Sequence, residues 1–130
     1  MIMNEEKVGI IVTDSLSAKL CIESTRAEFE GRIDDARAFS WQAWEAARDD
    51  YDACVAAHYI ARYQESPEGI LHWNQEALAR ADAVGDDRVQ SFYPSLYVNL
   101  GHAYEMLGNQ VEAKRFYKLA ADLGLVHQED

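Results

Sequence analysis

Apolar and small residues recur at helical spacing along most of this chain. Offsets of three, seven and eight residues lie on one face of a helix, so such a set predicts one buried stripe. The same offsets recur three times, starting from Ala36, Ile70 and Ala113. The predicted stripes are Ala36, Phe39, Ala43 and Trp44; Ile70, Trp73, Ala77 and Leu78; and Ala113, Phe116, Ala120 and Ala121.

A second helix precedes each stripe, with small or apolar residues at most positions that would face it. The positions nine, twelve and sixteen residues before each start are Ala27, Ser24 and Leu20; Ala61, His58 and Cys54; and Tyr104, Gly101 and Tyr97. The starts are 34 and then 43 residues apart, so the last interval carries nine extra residues. We place these around residues 83–94 and expect them to lengthen the helices on either side of Gly85.

Capping residues and glycines divide this pattern into helices. Asp14 or Ser15 can cap the first helix, and Ser66 followed by Pro67 is a favourable helix start. Glycines that follow the first, fourth and fifth helices can adopt the left-handed conformation that ends a helix. The predicted helices are 14–30, 33–48, 50–64, 67–84, 87–107 and 109–123.

The fifth helix has two possible starts. Asp87 and Gln90 have the spacing of a capping box, in which case Pro94 would kink the helix. Alternatively, the helix begins near Pro94. The sequence does not decide between them.

The segment from Tyr97 to Ala120 resembles the tetratricopeptide repeat. Tyr97, the pair Leu100 and Gly101, and Tyr104 match the motif W-x2-L-G-x2-Y, and Ala113 with Tyr117 follows in the place of A-x3-F. The resemblance implies an all-α fold, a right-handed superhelix of three antiparallel helix pairs. The repeat domain would occupy residues 14–124, between an N-terminal extension (1–13) and a C-terminal tail (125–130).

In this family, the first helix of each pair lines a concave groove that binds another protein or a peptide. The lining residues that the resemblance implies are Phe29, Tyr59, Arg62, Tyr63, Asn99, His102 and Met106. Their rings and apolar chains would anchor side chains of a partner, or they would only cover the inner ends of the second helices. The resemblance therefore predicts an adaptor or scaffold that binds a partner in its groove.

Charge and composition narrow the range of partners. The chain has 130 residues, a net charge of −11 and a hydrophobic fraction of 48%. This charge argues against nucleic acid and anionic membranes, and favours a basic peptide or protein surface. Two cysteines are too few for a disulfide scaffold, and no run is long enough to span a bilayer. We therefore expect a cytoplasmic protein.

The residues suggest no catalytic site, cofactor or metal site. Cys54 and His58 are four residues apart on one helix, but two ligands make a weak metal site. No phosphate-binding loop, G-x-S-x-G or H-E-x-x-H motif is present. We therefore do not expect an enzyme. Self-assembly into a homo-oligomer remains an alternative function, and a small-molecule or metal sensor at Cys54, His58 and His102 is a third.

The apolar segment Val8 to Val12 precedes the first predicted helix. It could cover the exposed face of the first helix pair, enter the groove, or pair with a second copy of the chain as a homodimer. We favour the first of these three interpretations.

Overall fold

The computed structural model describes residues 15–124, and every regular element in that range is an α-helix. The N-terminal extension with Val8 to Val12, the possible cap Asp14, and the C-terminal tail lie outside the described residues. Helical residues make up 81% of the described part, which confirms the all-α prediction. The helices are α1 Leu16–Phe29, α2 Ile33–Glu45, α3 Asp50–Arg62, α4 Pro67–Val84, α5 Asp87–Gln90, α6 Tyr93–Met106 and α7 Gln110–Asp122.

The capping serines and terminating glycines predicted for the first four helices are confirmed. The Ser15 hydroxyl accepts a hydrogen bond from the Ala18 amide at 2.9 Å, and Ser66 accepts one from the Gly69 amide at 3.0 Å. Gly31 (φ 78°) and Gly85 (φ 64°) adopt the left-handed conformation after α1 and α4. Helices α2 and α3 end two or three residues earlier than predicted, at Glu45 and Arg62.

The region predicted as one fifth helix is two helices, so the described residues form seven helices rather than six. The capping box at Asp87 is wrong: Asp86 is the cap of α5, and its carboxylate accepts from the Arg88 amide at 3.0 Å. Pro94 lies in the first turn of α6, where its missing N–H costs nothing. The alternative start near Pro94 is therefore the one the chain adopts.

The nine extra residues form the short helix α5 and its flanking turns. Val89 of α5 is fully buried and packs in a cluster with Tyr51 of α3, and the ring of Phe92 lies 6.0 Å from that of Tyr51. Helix α4 is long, at 18 residues, as predicted, but α6 has 14 residues, the same as α1. The insertion therefore adds a separate element to the core rather than lengthening both neighbours.

Consecutive helices pack in pairs. The closest packing joins α1 with α2, α3 with α4, and α6 with α7. Between pairs, α2 packs on α3, α1 packs on α3, and α4 packs on α6. Helix α6 rests mainly on α4 rather than on α3, which leaves a gap between α3 and α6 on one face of the molecule.

Five of the six alanine positions of the predicted stripes are buried. Ala36, Ala43, Ala77, Ala113 and Ala120 are all inaccessible or nearly so, as close helix packing requires. Five other positions, Phe39, Trp44, Ile70, Trp73 and Leu78, are half-buried, and Phe116 is buried. Ala121, predicted to be buried, is exposed, because no described helix covers the outer face of α7.

Two serine hydroxyls join α1 to α2. Ser17 donates to the Ala43 carbonyl and Ser24 donates to the Ala36 carbonyl, each at 2.8 Å. Both serines are buried, so these bonds satisfy polar groups that water cannot reach.

Helices α6 and α7 approach closely at Gly101. A Cβ atom at Gly101 would lie 2.5 Å from Cε1 of Tyr117. Glycine therefore allows the Tyr117 ring to lie directly against the backbone of α6.

Candidate functional site

Three depressions adjoin one another on the face formed by α1, α3 and α6, and His58 lines all three. We call this surface the groove. The first depression, of about 360 Å³, is lined by Thr25, Glu28, Phe29, His58, Tyr59 and Arg62. The second, of about 290 Å³, is lined by His58, Ala61, Arg62, Ile70, Asn74, Asn99, His102 and Met106. The third, of about 210 Å³, is lined by Val55, His58, Tyr59, Phe92, Ser95 and Leu96.

The structure thus places six of the seven predicted groove residues around these depressions. Phe29, Tyr59 and Arg62 line the first, and Asn99, His102 and Met106 line the second together with Arg62. The first set comes from the first and second helix pairs, the second set comes from the second and third pairs, and the two sets meet at α3. Their common placement follows from the position of α1, α3 and α6 on one side of the molecule.

Tyr63 is the exception, because its ring is buried and only 7% exposed. Helix α3 ends at Arg62, and Tyr63 is its C-cap residue. The ring packs in a cluster with Ala27 and Ala36. The repeat alignment predicted that Tyr63 lines the groove, and this prediction is wrong: Tyr63 is a core residue.

Arg62 is paired within the first depression. Its Nε and Nη2 atoms donate to the two carboxylate oxygens of Glu28, each at 2.8 Å, and the Tyr63 hydroxyl donates to Glu28 at 2.8 Å. These bonds hold the pKa of Glu28 below its ordinary value, with Arg62 as the larger cause and Tyr63 as the next. The same ion pair raises the pKa of Arg62. The pair therefore adds no net charge to the groove.

Phe29 and Tyr59 present aromatic rings beside this ion pair. Phe29, the last residue of α1, is 88% exposed. Tyr59 is half-buried, and its hydroxyl accepts a hydrogen bond from Thr25 at 3.2 Å. Tyr59 is therefore held in a fixed orientation, whereas Phe29 projects into solvent.

His58 lies where the three depressions meet and is half-buried. Burial lowers its pKa, and the positive charge of Arg62 lowers it further. Its ring stands edge-on to that of Tyr59, with centroids 5.8 Å apart. Both effects disfavour the charged form of His58 at the centre of the groove.

Sequence reasoning missed Asn74, a residue of α4 that lines the second depression and is only 2% exposed. Its Nδ2 donates to the Ile70 carbonyl at 2.9 Å, while its Oδ1 has no hydrogen-bond partner among residues 15–124. One signal was available: an asparagine, a poor helix former, stands four residues after Ile70 on the buried face of a predicted helix.

The third depression was also missed. It lies between α3 and the segment that joins α5 to α6, and its walls are the apolar side chains of Val55, Phe92 and Leu96. Phe92 lies within the inserted segment, and Leu96 follows it. The repeat alignment could not supply the fold of this segment.

The predicted metal-sensing set is not assembled in the described residues. Cys54 is buried in the cluster that contains Tyr51 and Ala57, and burial raises its pKa to about 12, with a further contribution from Asp82. Among residues 15–124, no group of three or more His, Cys, Asp or Glu side chains is placed to hold a metal ion. His58 and His102 instead line the second depression.

Within the described range, no helix has the length and apolar character needed to cross a membrane.

Comparison with protein-family models, with curated proteins and with solved structures finds no match to this chain.

Proposed function

We propose that this chain is a non-enzymatic protein-interaction module whose groove binds a peptide or a partner surface. The proposal includes a right-handed superhelix of the tetratricopeptide-repeat type, built from the pairs α1–α2, α3–α4 and α6–α7. Its support is the repeat motif around Gly101 together with the packing of these helices in consecutive pairs.

The exposed apolar side chains of the groove carry this proposal. Phe29 is 88% exposed and Met106 is 52% exposed, and each lines a depression of the same groove. Large exposed apolar side chains beside polar ones are typical of binding surfaces, and aromatic residues, methionine and arginine are enriched at interfaces. Phe29 and Met106 contribute little to the core, so a partner is the simplest reason for their placement.

The charge of the groove favours a partner with apolar anchors. Because Glu28 neutralises Arg62, the groove offers no free pair of cations to hold a peptide carboxylate. The net charge of −11 attracts basic residues around the anchors, mainly by raising the association rate. We therefore propose a partner segment with apolar anchors and basic flanks.

A capture experiment with matched baits tests this function. Wild type, Phe29→Ser and Met106→Ser would be immobilised and exposed to native lysate, with Val111→Ser as the control. Val111 is 76% exposed and lines none of the three depressions. Loss of an anchor should weaken partner capture at least about tenfold, whereas the control should retain it. Equal capture by all four baits would refute the groove as the binding surface.

Self-assembly is a second candidate, because the outer helices also carry exposed apolar residues. Leu16 of α1 and Val111 and Leu123 at α7 are exposed, and these helices are the first and last of the described chain. Light scattering across a concentration series tests it. A mass that rises above the monomer and falls back in Val111→Ser would support self-assembly, while a constant monomer mass would exclude it.

We also propose a cytoplasmic location, which the two buried cysteines support. Cys21 and Cys54 are both unpaired thiols, and such thiols are typical of proteins in reducing compartments.

A further inference from the structure

We propose that a fourth depression, at Asp82, Tyr93 and Tyr97, is a cation site that binds a lysine or arginine side chain of a partner protein. One carboxylate and two aromatic rings meet there. The site lies outside the groove, so this inference goes beyond the proposed function and does not depend on it.

The fourth depression lies where the end of α4, the start of α6 and the end of α7 meet, and its volume is about 470 Å³. Its lining residues are Asp82, Gln90, Tyr93, Pro94, Tyr97 and Leu123. None of them lines any of the three depressions of the groove. Along α6, Tyr97 precedes the groove residue Asn99 by two positions, which is more than half a turn of helix. The two surfaces therefore lie on different sides of α6.

Asp82 is an exposed carboxylate that no cation of the described chain neutralises. It lies in the last turn of α4, where the helix end is already partly negative, and that turn contains no basic residue. None of the ion pairs among residues 15–124 includes Asp82. Its Oδ1 accepts a hydrogen bond from the Tyr93 hydroxyl at 2.6 Å, which leaves Oδ2 available. A positive charge is therefore favourable at this position.

Two tyrosine rings border the same depression. The ring centroids of Tyr93 and Tyr97 lie 5.8 Å apart and their planes are inclined by 43°, so the rings are not stacked face to face. Burial raises the pKa of Tyr93, and the bond to Asp82 raises it further, so the hydroxyl stays a donor and holds the ring beside the carboxylate. Aromatic faces attract ammonium and guanidinium groups. The rings and the carboxylate therefore favour the same kind of ligand.

Other aromatic rings of this chain carry a cation of the chain itself. Three arginines lie over rings, at 5.3 Å, 5.1 Å and 4.4 Å from the ring centroids: Arg80 over Trp44, Arg88 over Tyr51 and Arg115 over Phe116. No cation from residues 15–124 lies over Tyr93 or Tyr97 in this way. These two rings and Asp82 are therefore left to pair with a cation from outside the described chain.

A side chain of a partner fits this site better than a free small molecule does. Asp82, Gln90 and Leu123 are exposed, so the depression is open and would bury little of a free cation, whereas pockets for small ligands bury most of the ligand surface. A basic side chain on a partner gains further affinity from contacts elsewhere, and its aliphatic stem can lie along Leu123 and Pro94. The net charge of −11 attracts such partners.

An NMR titration of the full ¹⁵N-labelled chain tests the site. The probes are lysine and arginine, each with an acetylated N-terminus and an amidated C-terminus. Norleucine capped in the same way is the control, because it has an aliphatic stem like that of lysine but no charge. Backbone amide shifts of Asp82, Tyr93 and Tyr97 report on the fourth depression, and those of Tyr59 and His102 report on the groove.

Two variants alter the site, and each has a matched control. Asp82→Asn removes the charge but keeps an acceptor for Tyr93. Glu68→Gln removes one charge at the other end of α4, about 21 Å away, which exceeds the screening length of about 8 Å at physiological salt. Tyr97→Leu removes one ring of the site, and Tyr59→Leu removes a ring in the groove. The ¹⁵N spectrum shows whether each variant folds. If Tyr97→Leu does not fold, Asp82→Asn decides the test.

We expect both basic probes to shift the amides of Asp82, Tyr93 and Tyr97, with dissociation constants of about 1–10 mM, and norleucine to leave them unchanged. Asp82→Asn and Tyr97→Leu should each weaken binding about three- to fivefold, because each removes one exposed ion-pair or cation–π contact. The controls Glu68→Gln and Tyr59→Leu should change binding by less than about 1.5-fold.

Three results would overturn the site: no shift of these amides with either basic probe, an equal shift with norleucine, or equal binding by Asp82→Asn and Glu68→Gln. Putrescine and choline test a free cation as the ligand. A dissociation constant below about 0.1 mM for either would overturn the assignment to a partner side chain. The groove is tested separately by Phe29→Ser and Met106→Ser, so failure of one surface is distinguishable from failure of the other.

Discussion

The contact between Gly101 and Tyr117 gives a sharp test of the packing of α6 on α7. In Gly101→Ala, the added Cβ would lie 2.5 Å, 2.6 Å and 3.0 Å from three carbons of the Tyr117 ring. Ordinary carbon contacts are about 3.5–4.0 Å, so the ring must move by about 1 Å. Such a movement would also disturb the hydrogen bond that the Tyr117 hydroxyl donates to Glu105 at 2.6 Å.

The expected magnitude is the difference between two opposing effects. Alanine is a better helix former than glycine by about 1 kcal/mol, whereas overpacking costs about 1–3 kcal/mol. Gly101→Ala should therefore lower the free energy of unfolding by about 1 kcal/mol. The matched control is Gly69→Ala in α4, where the nearest atoms include the flexible end of Gln64 and the substitution should be neutral or stabilising.

Urea denaturation followed by circular dichroism measures both changes, and an unchanged slope with denaturant shows that both variants unfold as the wild type does. We expect the two glycine variants to differ by about 1–3 kcal/mol. In a Tyr117→Ala background, Gly101→Ala should become stabilising, because only the helix propensity remains. If Gly101→Ala stabilises the wild type as much as Gly69→Ala does, the close approach of α6 and α7 is refuted.

Three further predictions concern the core and the titratable groups. Ile60→Ala should lower the free energy of unfolding, measured by urea denaturation, by about 2–5 kcal/mol, because Ile60 is fully buried. A smaller loss would contradict that burial. Glu28 stabilises the fold only while ionised, because its pKa is lowered by Arg62 and Tyr63. The difference in melting temperature between wild type and Glu28→Gln should be present at pH 7 and shrink as the pH falls below about 4; a constant difference would count against the ion pair. Cys21 and Cys54, with pKa values raised to about 12 by burial, should resist a thiol reagent at pH 8 in the native protein and react in urea.

Local signals in the sequence predict the helices well. Ser15, Ser66, Gly31 and Gly85 act through bonds or dihedral angles that involve only their immediate neighbours, so their roles can be inferred without the fold. The alanines of the second helices were also predictable, because an alanine repeated on one helical face indicates close packing whatever the partner is.

The groove was less predictable, because it depends on how each helix end is oriented. Phe29, Tyr63 and Met106 share one position in the repeat alignment, yet Phe29 and Met106 are exposed and Tyr63 is buried. Tyr63 is the C-cap residue of α3, and its ring packs with Ala27 and Ala36. An alignment does not show which neighbours cover each side chain.

The inserted segment was the least predictable part. Its length and position could be read from the spacing, but the separation of α5 from α6 depends on the burial of Val89 against another helix. Such a contact is a property of the assembled fold. The third depression, lined by Phe92 and Leu96, lies beside this segment, so the sequence did not reveal it either.

The two serine bonds between α1 and α2 limit how the molecule can deform. Ser17 and Ser24 are seven residues apart, about 10 Å along the helix axis, and each hydroxyl is tied to a different carbonyl of α2. A slide of one helix along the other, or a rotation about its own axis, would break both bonds together. The pair α1–α2 should therefore move as one rigid unit. Any widening of the groove must then come from hinging between α2 and α3 or farther along the chain.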